Sequence, residues 1–382
     1  MTQQYPEVVI VGAGIIGCSI AYFLAEQGCT NVLVIDEGGI SSGVTGICPG
    51  GIRQQWGTEI NCMMAKASAE FYYSINERLN PEYEITFRKV GYLYTFHSEE
   101  AVAGYRRNMA LQNSLGIPTK MITPTDAMEI VPGLNSNSFL AASFCDTDGF
   151  ADDAYHVTNS LAIAAKQKGV QFISDKVQRL VREGDRVIGV ECKTKGMIQS
   201  GNVVNAAGLG SVKLAETAGI EIPIKEEVRR ILYTNRLEER VLEPLLVSFE
   251  KGFAAKQLTD GTIYCSYLGK DLQPPYNKFD FQLRAAEVGM ELFPPLEKVE
   301  FRTHIDGRYD STPDHQAILG DIDGIEGYYQ AIGMSGHGFM MAPAIGRTLA
   351  QTILRESPFI DISSLHYRRF AANQLVYEPS VV

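Results

Sequence analysis

Gly12-Ala13-Gly14-Ile15-Ile16-Gly17 directly follows the run Val8-Val9-Ile10-Val11 and opens a helical stretch that Gly28 stops. In this spacing the first glycine makes a tight turn, the second lets backbone approach a pyrophosphate, and the third lets helix and strand pack closely. The helix N-terminus then offers N–H groups and a favourable dipole to negative charge. The next strand, Val32-Leu33-Val34-Ile35, ends at Asp36, nineteen residues after Gly17, where a carboxylate can accept from a ribose hydroxyl. A glycine loop alone is weak evidence. Strand, loop, helix, strand and acid in this order specify a dinucleotide site.

The adenosine end does not separate FAD from NAD, but two later features favour FAD. Asp36 leads into Gly38-Gly39-Ile40-Ser41-Ser42-Gly43-Val44-Thr45-Gly46, a loop with amides and hydroxyls enough to line an extended cofactor. Far downstream, Gly333-Met334-Ser335-Gly336-His337-Gly338-Phe339-Met340 is a second glycine-rich loop that opens a helix. Such an N-terminus can face the N1/O2 edge of a flavin and stabilise its reduced, anionic form. Arg53 follows the first loop and offers a planar two-pronged donor to a carboxylate; Arg308 is the second choice. A core or surface ion pair is the competing role for each. Tyr92, Tyr94, Tyr264 and Tyr267 are either pocket walls or core. His337 is assigned first to holding its loop or meeting the flavin carbonyl, and only then to general base chemistry.

These groups need a scaffold. The chain has 382 residues, 45% hydrophobic and 21% charged, which fits a folded protein of two or three domains at about 150 residues each. The net charge of −11 gives no basic face for nucleic acid. Seven scattered cysteines, without a C-x-x-C pair, read as free thiols in a reducing compartment, and none has zinc or iron–sulfur spacing. Val8 to Ala25 is the one uncharged stretch long enough to raise a membrane span, but its glycines make it a buried strand–turn–helix. The start, Met1-Thr2-Gln3-Gln4-Tyr5-Pro6-Glu7, lacks a basic n-region. The expectation is a soluble, cytoplasmic protein.

Between Tyr83 and Ser143 the texture becomes aromatic and alternating, as in Gly91-Tyr92-Leu93-Tyr94-Thr95-Phe96, with a helix near 101–115. Val177–Arg182 and Val187–Cys192 read as a hairpin about Gly184-Asp185, and 154–168 and 339–355 as helices. The expected fold is α/β, a Rossmann-type FAD-binding domain interleaved with an antiparallel-sheet α+β substrate domain. The first is assembled from 1–82, 145–220 and 306–382, the second from 83–144 and 221–305.

Six segments together carry a resemblance: Gly12–Gly17, Gly51-Ile52-Arg53-Gln54-Gln55, Asp148-Gly149-Phe150-Ala151-Asp152, Asn205-Ala206-Ala207-Gly208, Thr312-Pro313-Asp314 and Ser335-Gly336-His337-Gly338-Phe339. With them the chain resembles the FAD-dependent D-amino-acid oxidase superfamily, which includes glycine and sarcosine oxidases. It is most similar to the β subunits of heteromeric sarcosine oxidase and dye-linked L-proline dehydrogenase. The resemblance implies that Gly12, Gly14 and Gly17 hold the pyrophosphate and Asp36 the adenine ribose. Ser42, Thr45 and Gly51 line the flavin side, Val177 meets adenine through its backbone, and Ala206 and Gly208 pack on the cofactor. Gly333, Gly336, His337, Gly338, Phe339 and Met340 cover the pyrimidine edge of the isoalloxazine.

Three departures refine this. Gly307 stands where monomeric sarcosine oxidase has its flavin-linking cysteine, so the expected FAD is non-covalent. Met340 replaces a substrate-binding lysine, and Asp152-Asp153 stand where a histidine tethers FMN in sarcosine oxidase β subunits. The implied function is oxidation of the C–N bond of an amino acid or secondary amino acid by hydride transfer to flavin N5, with L-proline, sarcosine and glycine as candidates. A partner subunit carrying a second redox centre is implied by the β-subunit likeness. The rivals are a non-catalytic FAD-holding relay subunit and a hydroxyl-oxidising relative such as glycerol-3-phosphate dehydrogenase, whose phosphate wants a denser arginine cluster.

Overall fold

In the computed structural model, which describes residues 5–272 and 276–380, Val8–Val11 is a strand buried at all four residues. Such a run suits a central parallel strand covered on both faces. It pairs in parallel with Val32–Asp36 on one side and Val203–Asn205 on the other. Gln171–Ser174 extends the sheet past the first, and Ile325–Ile332 past the second. The expected hairpin forms as Val177–Glu183 paired antiparallel with Arg186–Cys192, and joins Ile325–Ile332 at its edge. With Gly196–Gln199 and Ile318–Ile322 the sheet reaches nine strands. Alternation divides the core: Val8, Ile10 and Val34 pack beneath the helices Ile15–Glu26, Ala154–Gln167 and Gly338–Ile353. Val9, Val11, Leu33 and Ile35 face Leu214, Ile220 and Tyr328 on the other side.

Helix Gly338–Ile353 contains Pro343, which has no N–H to give the carbonyl of Phe339 four residues back. Tyr72 Oη takes its place, donating to that carbonyl at 2.5 Å. The same helix is fixed to Ile15–Glu26 by Ser19 Oγ, which donates to the carbonyl of Ala342 at 2.8 Å. The two helices that open from the two glycine loops are therefore locked to each other.

The second sheet has eight strands in the order Phe301–Ser311, Lys225–Arg236, Thr262–Tyr267, Phe253–Gln257, Leu245–Ser248, Tyr92–Phe96, Ala141–Cys145 and Lys120–Ile122. All pairs are antiparallel except Leu245–Ser248 with Tyr92–Phe96. One face packs Leu232, Phe253 and Cys265 against helix Lys278–Leu292. The other carries Tyr92, Tyr94, Leu245, Val247 and Ala254. A small three-stranded sheet of Gly51–Ile52, Gly149–Ala151 and Phe87–Arg88 carries the chain from the first glycine loop toward Arg53. Among the described residues, no helix is long and apolar enough to cross a membrane.

Candidate active site

The first glycine loop is built as its spacing demands. Gly12 has φ +111°, and a Cβ there would lie 2.3 Å from the carbonyl oxygen of Ala206; one at Gly17 would lie 2.0 Å from that of Gly12. Gly14 is the N-cap of helix Ile15–Glu26 and brings no side chain, so the helix N-terminus stays open apart from Thr45 Oγ1, which accepts from Ile15 N at 3.2 Å. Asp36 accepts from Ala13 N, Gly38 N and Gly39 N, each at 2.8 Å, and from Ser42 Oγ at 3.3 Å. The acid thus binds the loop to the 38–42 segment and stands at the same mouth. Nothing lies within 4 Å of a Cβ built at Gly39, Gly43 or Gly208, so each of these loop positions borders open space. Val177 is half-buried at the hairpin edge, opposite Cys192.

The second loop is held from below. Asp310 accepts from Gly333 N at 2.9 Å, and burial, only partly offset by backbone N–H groups of 333–335, pushes its carboxyl up to about 6. Gly336 has φ +87° and a Cβ there would meet the Tyr309 ring at 2.3 Å, so only glycine closes this turn. His337 is the N-cap of the following helix without a side-chain cap bond, and its buried Nε2 has no partner. Burial first, and then the charge of Arg53, holds this imidazole well below 6.5, so it is neutral. An uncapped helix N-terminus beside an orphaned imidazole nitrogen fits the polar edge of a flavin. Together with the open mouth at Gly14, the residues present fit FAD.

Between this loop and the eight-stranded sheet is a cavity of about 100 Å³ lined by Arg53, Arg229, Tyr94, Tyr264, Tyr309 and His337, with Tyr92, Ser335 and Met340 beside them. Arg53 is buried, donating to Tyr94 Oη at 3.0 Å and through both terminal nitrogens to the carbonyl of Ser380 at 2.9 Å. Its guanidinium carbon lies 3.5 Å above the Trp56 ring. Behind it, Asp148 accepts from Gln54 N at 2.8 Å and Gln55 Nε2 at 2.9 Å, and burial pushes this carboxyl up to about 6. Arg229 donates to Glu227 Oε2 at 2.7 Å, lies 5.0 Å from the Tyr309 ring, and keeps a buried Nε without a partner.

Arg53, His337, Tyr92, Tyr94 and Tyr264 therefore meet in one cavity, but Arg308 does not. Its side chain is 59% exposed and bonded to Glu226 at 2.8 Å, because strand alternation sends Tyr309 inward and its neighbour outward. Tyr267 is likewise turned away from Tyr264 and Ser266, bonds Asp271 and packs on Phe281. Arg229, which takes the inner position, carries no motif. Its only sequence signal is its odd-numbered phase with Ile231 and Tyr233 on a strand. Gly307 lies opposite Arg229, and a Cβ there would be 3.3 Å from Ile47 Cδ1, so two unreactive residues meet at that point. Asp153 caps helix Ala154–Gln167 and Asp152 accepts from Thr259 N at 2.7 Å; both hold the fold together.

Thr312-Pro313-Asp314 proves to be a clasp for the end of the chain. Asp314, fully buried, is gripped by Arg369 through Nε at 2.8 Å and Nη2 at 3.0 Å. The residues leading into helix Glu59–Tyr73 are tied to the same distant segment, since Glu378 accepts from Gly57 N and Thr58 N.

Comparison with known proteins agrees with this architecture. The profile of the FAD dependent oxidoreductase family matches residues 7–352. The crystal structure of L-proline dehydrogenase from P. horikoshii superposes with a TM-score of 0.90 at 32% identity, covering 98% of this chain and 100% of that one. FAD-dependent oxidoreductase domain-containing protein 1 of Bos taurus is 28% identical over 431 residues, spanning 100% of this chain and 88% of its own length. 4-methylaminobutanoate oxidase (formaldehyde-forming) of Paenarthrobacter nicotinovorans is 26% identical over 96% of this chain, which spans 46% of that protein.

Proposed function

This chain belongs to the FAD-dependent oxidoreductase family, and on that premise we propose that it oxidises the C–N bond of a small amino acid or N-substituted amino acid to the imine. L-proline and sarcosine-like secondary amines are the first substrates in this reading, and glycine follows. The observation that carries it is the placing of two guanidiniums, Arg53 and Arg229, in one small aromatic cavity beside the second glycine loop. FAD, when bound, supplies the two-electron acceptor for the C–H bond next to nitrogen. The absence of a cysteine at Gly307 supports a non-covalent cofactor.

The chain's own residues bind and orient. Arg229 Nε and the donors of Arg53 not held by Tyr94 and Ser380 receive the substrate carboxylate. The same positive charges disfavour an ammonium beside them, so the amine is held in its neutral form, from which hydride leaves readily. Tyr94, Tyr264 and Tyr309 exclude water, and burial holds each phenol above its ordinary value, so they act as neutral donors. Because the amine is already neutral, no protein base is required to remove its proton first, and burial makes His337 a poor base. Water takes the proton and later hydrolyses the imine, or a cyclic imine leaves intact. Two arginines are too few for a phosphate monoester, which argues against the hydroxyl-oxidising alternative.

Anaerobic mixing of the holoprotein with L-proline, sarcosine or glycine tests this. Bleaching of the flavin absorption by one of them is the expected result. Bleaching by glycerol 3-phosphate alone, or by none of the four, overturns it.

A further inference from the structure

We propose that residues 376–380 form a strap that orients Arg53 toward the substrate carboxylate, with Glu378 as its positioning residue; the inference rests on the function proposed above. The strap lies beyond residues 7–352, the part that matches the family profile. It is anchored in the interior. Val376 N donates to Asp314 Oδ2 at 3.3 Å and Glu378 N to the Asp314 carbonyl at 3.2 Å, and Asp314 is itself gripped by Arg369. Glu378 is 4% exposed, and its carboxylate accepts from Gly57 N at 2.8 Å, Thr58 N at 3.1 Å, Thr58 Oγ1 at 2.8 Å, Asn61 Nδ2 at 3.0 Å and Ser380 N at 2.9 Å. The last of these bonds fixes Ser380, whose carbonyl bridges both terminal nitrogens of Arg53 at 2.9 Å.

A guanidinium has five N–H donors. Tyr94 and Ser380 take three of them, which leaves one on Nη2 and one on Nε. A neutral carbonyl does not cancel the charge, so Arg53 keeps its attraction for an anion while its plane is fixed between Trp56 and the strap. Without the strap, Tyr94 and the face of Trp56 would leave that plane free to turn. Orientation matters because a carboxylate is recognised by two parallel N–H bonds, which require the fork in one plane.

Trp56 is the single tryptophan of the chain and lies 3.5 Å from the Arg53 guanidinium, so its emission reports the guanidinium directly. Glu378→Gln turns an amide toward donors. Gly57→Ala puts a Cβ 2.3 Å from Pro379 Cγ and 3.0 Å from Glu378 Oε1, and so lifts the strap while leaving the Glu378 side chain chemically intact. In the holoprotein, both substitutions should change Trp56 emission and raise the KM for whichever of L-proline, sarcosine and glycine bleaches the wild-type flavin. The rise should be about 10-fold, with kcat within about twofold. FAD content should be unchanged, and Glu378→Asp should recover part of the KM. Unchanged emission and KM in both variants overturn the proposal, as does loss of FAD from both, which would make the strap only structural. If none of the three amines bleaches the wild type, the proposed function fails by itself, and Trp56 emission still decides the strap.

Discussion

Arg229 and Arg308 show how one residue of register separates a cavity from solvent. Across the paired strands Val228 faces Arg308 and Arg229 faces Gly307, so the two arginines point to opposite sides of the sheet. Neither strand was singled out from the sequence, because charged residues on both faces give no apolar stripe to set its phase. Arg53 and His337 could be singled out since each adjoins a glycine loop. Arg229→Ala should raise KM by roughly 10- to 150-fold, the worth of a charge-assisted pair at about 1.5–3 kcal/mol, with FAD retained. Arg308→Ala should change KM by less than about twofold, since an exposed ion pair contributes little. Steady-state kinetics on the two variants separate them; equal effects would return Arg308 to the site. Burial also leaves a pH signature. Asp148 and Asp310 are raised from 3.8 to about 6, so across that window the folded chain holds protons that the unfolded chain releases. Both groups therefore make stability fall as pH rises from about 4 to about 6. Asp310→Asn keeps an acceptor for Gly333 N and should flatten the urea midpoint across that window; parallel curves for variant and wild type would refute this reading.

At the scale of elements, the strand–loop–helix–strand unit at the N-terminus was legible because every glycine and the acid serve one local geometry. The helix of the second loop was legible too, yet Pro343 inside it looks like a break. The break is avoided because Tyr72, some 270 residues earlier, satisfies the carbonyl that proline leaves free. No local pattern announces such a partner. Tyr72→Phe preserves the stacking on Phe339, whose ring lies 5.3 Å away, and removes only that hydrogen bond. A buried carbonyl without a donor costs about 1–3 kcal/mol. The variant should therefore melt at a lower temperature in calorimetry, with the loss visible in the holoprotein as well. An unchanged melting temperature would mean that the helix replaces the bond by local rearrangement.

At the scale of the whole molecule, the two sheets could be expected from the texture of the sequence, whereas the return of the chain's end to Asp314, Gly57 and Arg53 could not. At Gly57 and Arg53 that return joins positions more than 300 residues apart through polar contacts, which leave no periodicity to read. The molecule as a whole also decides where electrons go. Six of the seven free cysteines are buried, and among the described residues no three His, Cys, Asp or Glu side chains group as a metal site would need. Direct transfer to oxygen is helped by a positive charge close to the reacting flavin edge, which stabilises the negative charge gained by oxygen. Besides Arg53 and Arg229, the buried Lys256, paired across the strands with Tyr264, is a cation with that potential, but its Nζ donates to the Ala151 carbonyl at 3.2 Å and lies 4.3 Å from the Phe150 ring. Burial lowers it to about 8, so the charge is lost as pH rises through that value. A lysine held by a carbonyl and losing its charge near pH 8 is a weak aid to oxygen, and on that ground we propose a partner protein as the acceptor. The chain expressed alone should contain FAD that an amine reduces and that reoxidises sluggishly in air, more slowly still above pH 8, while an artificial dye restores turnover. Stopped-flow reoxidation and peroxide assays measure this. Rapid peroxide formation by a monodisperse monomer, indifferent to pH between 7 and 9, would show instead that oxygen is the acceptor and that no partner is needed.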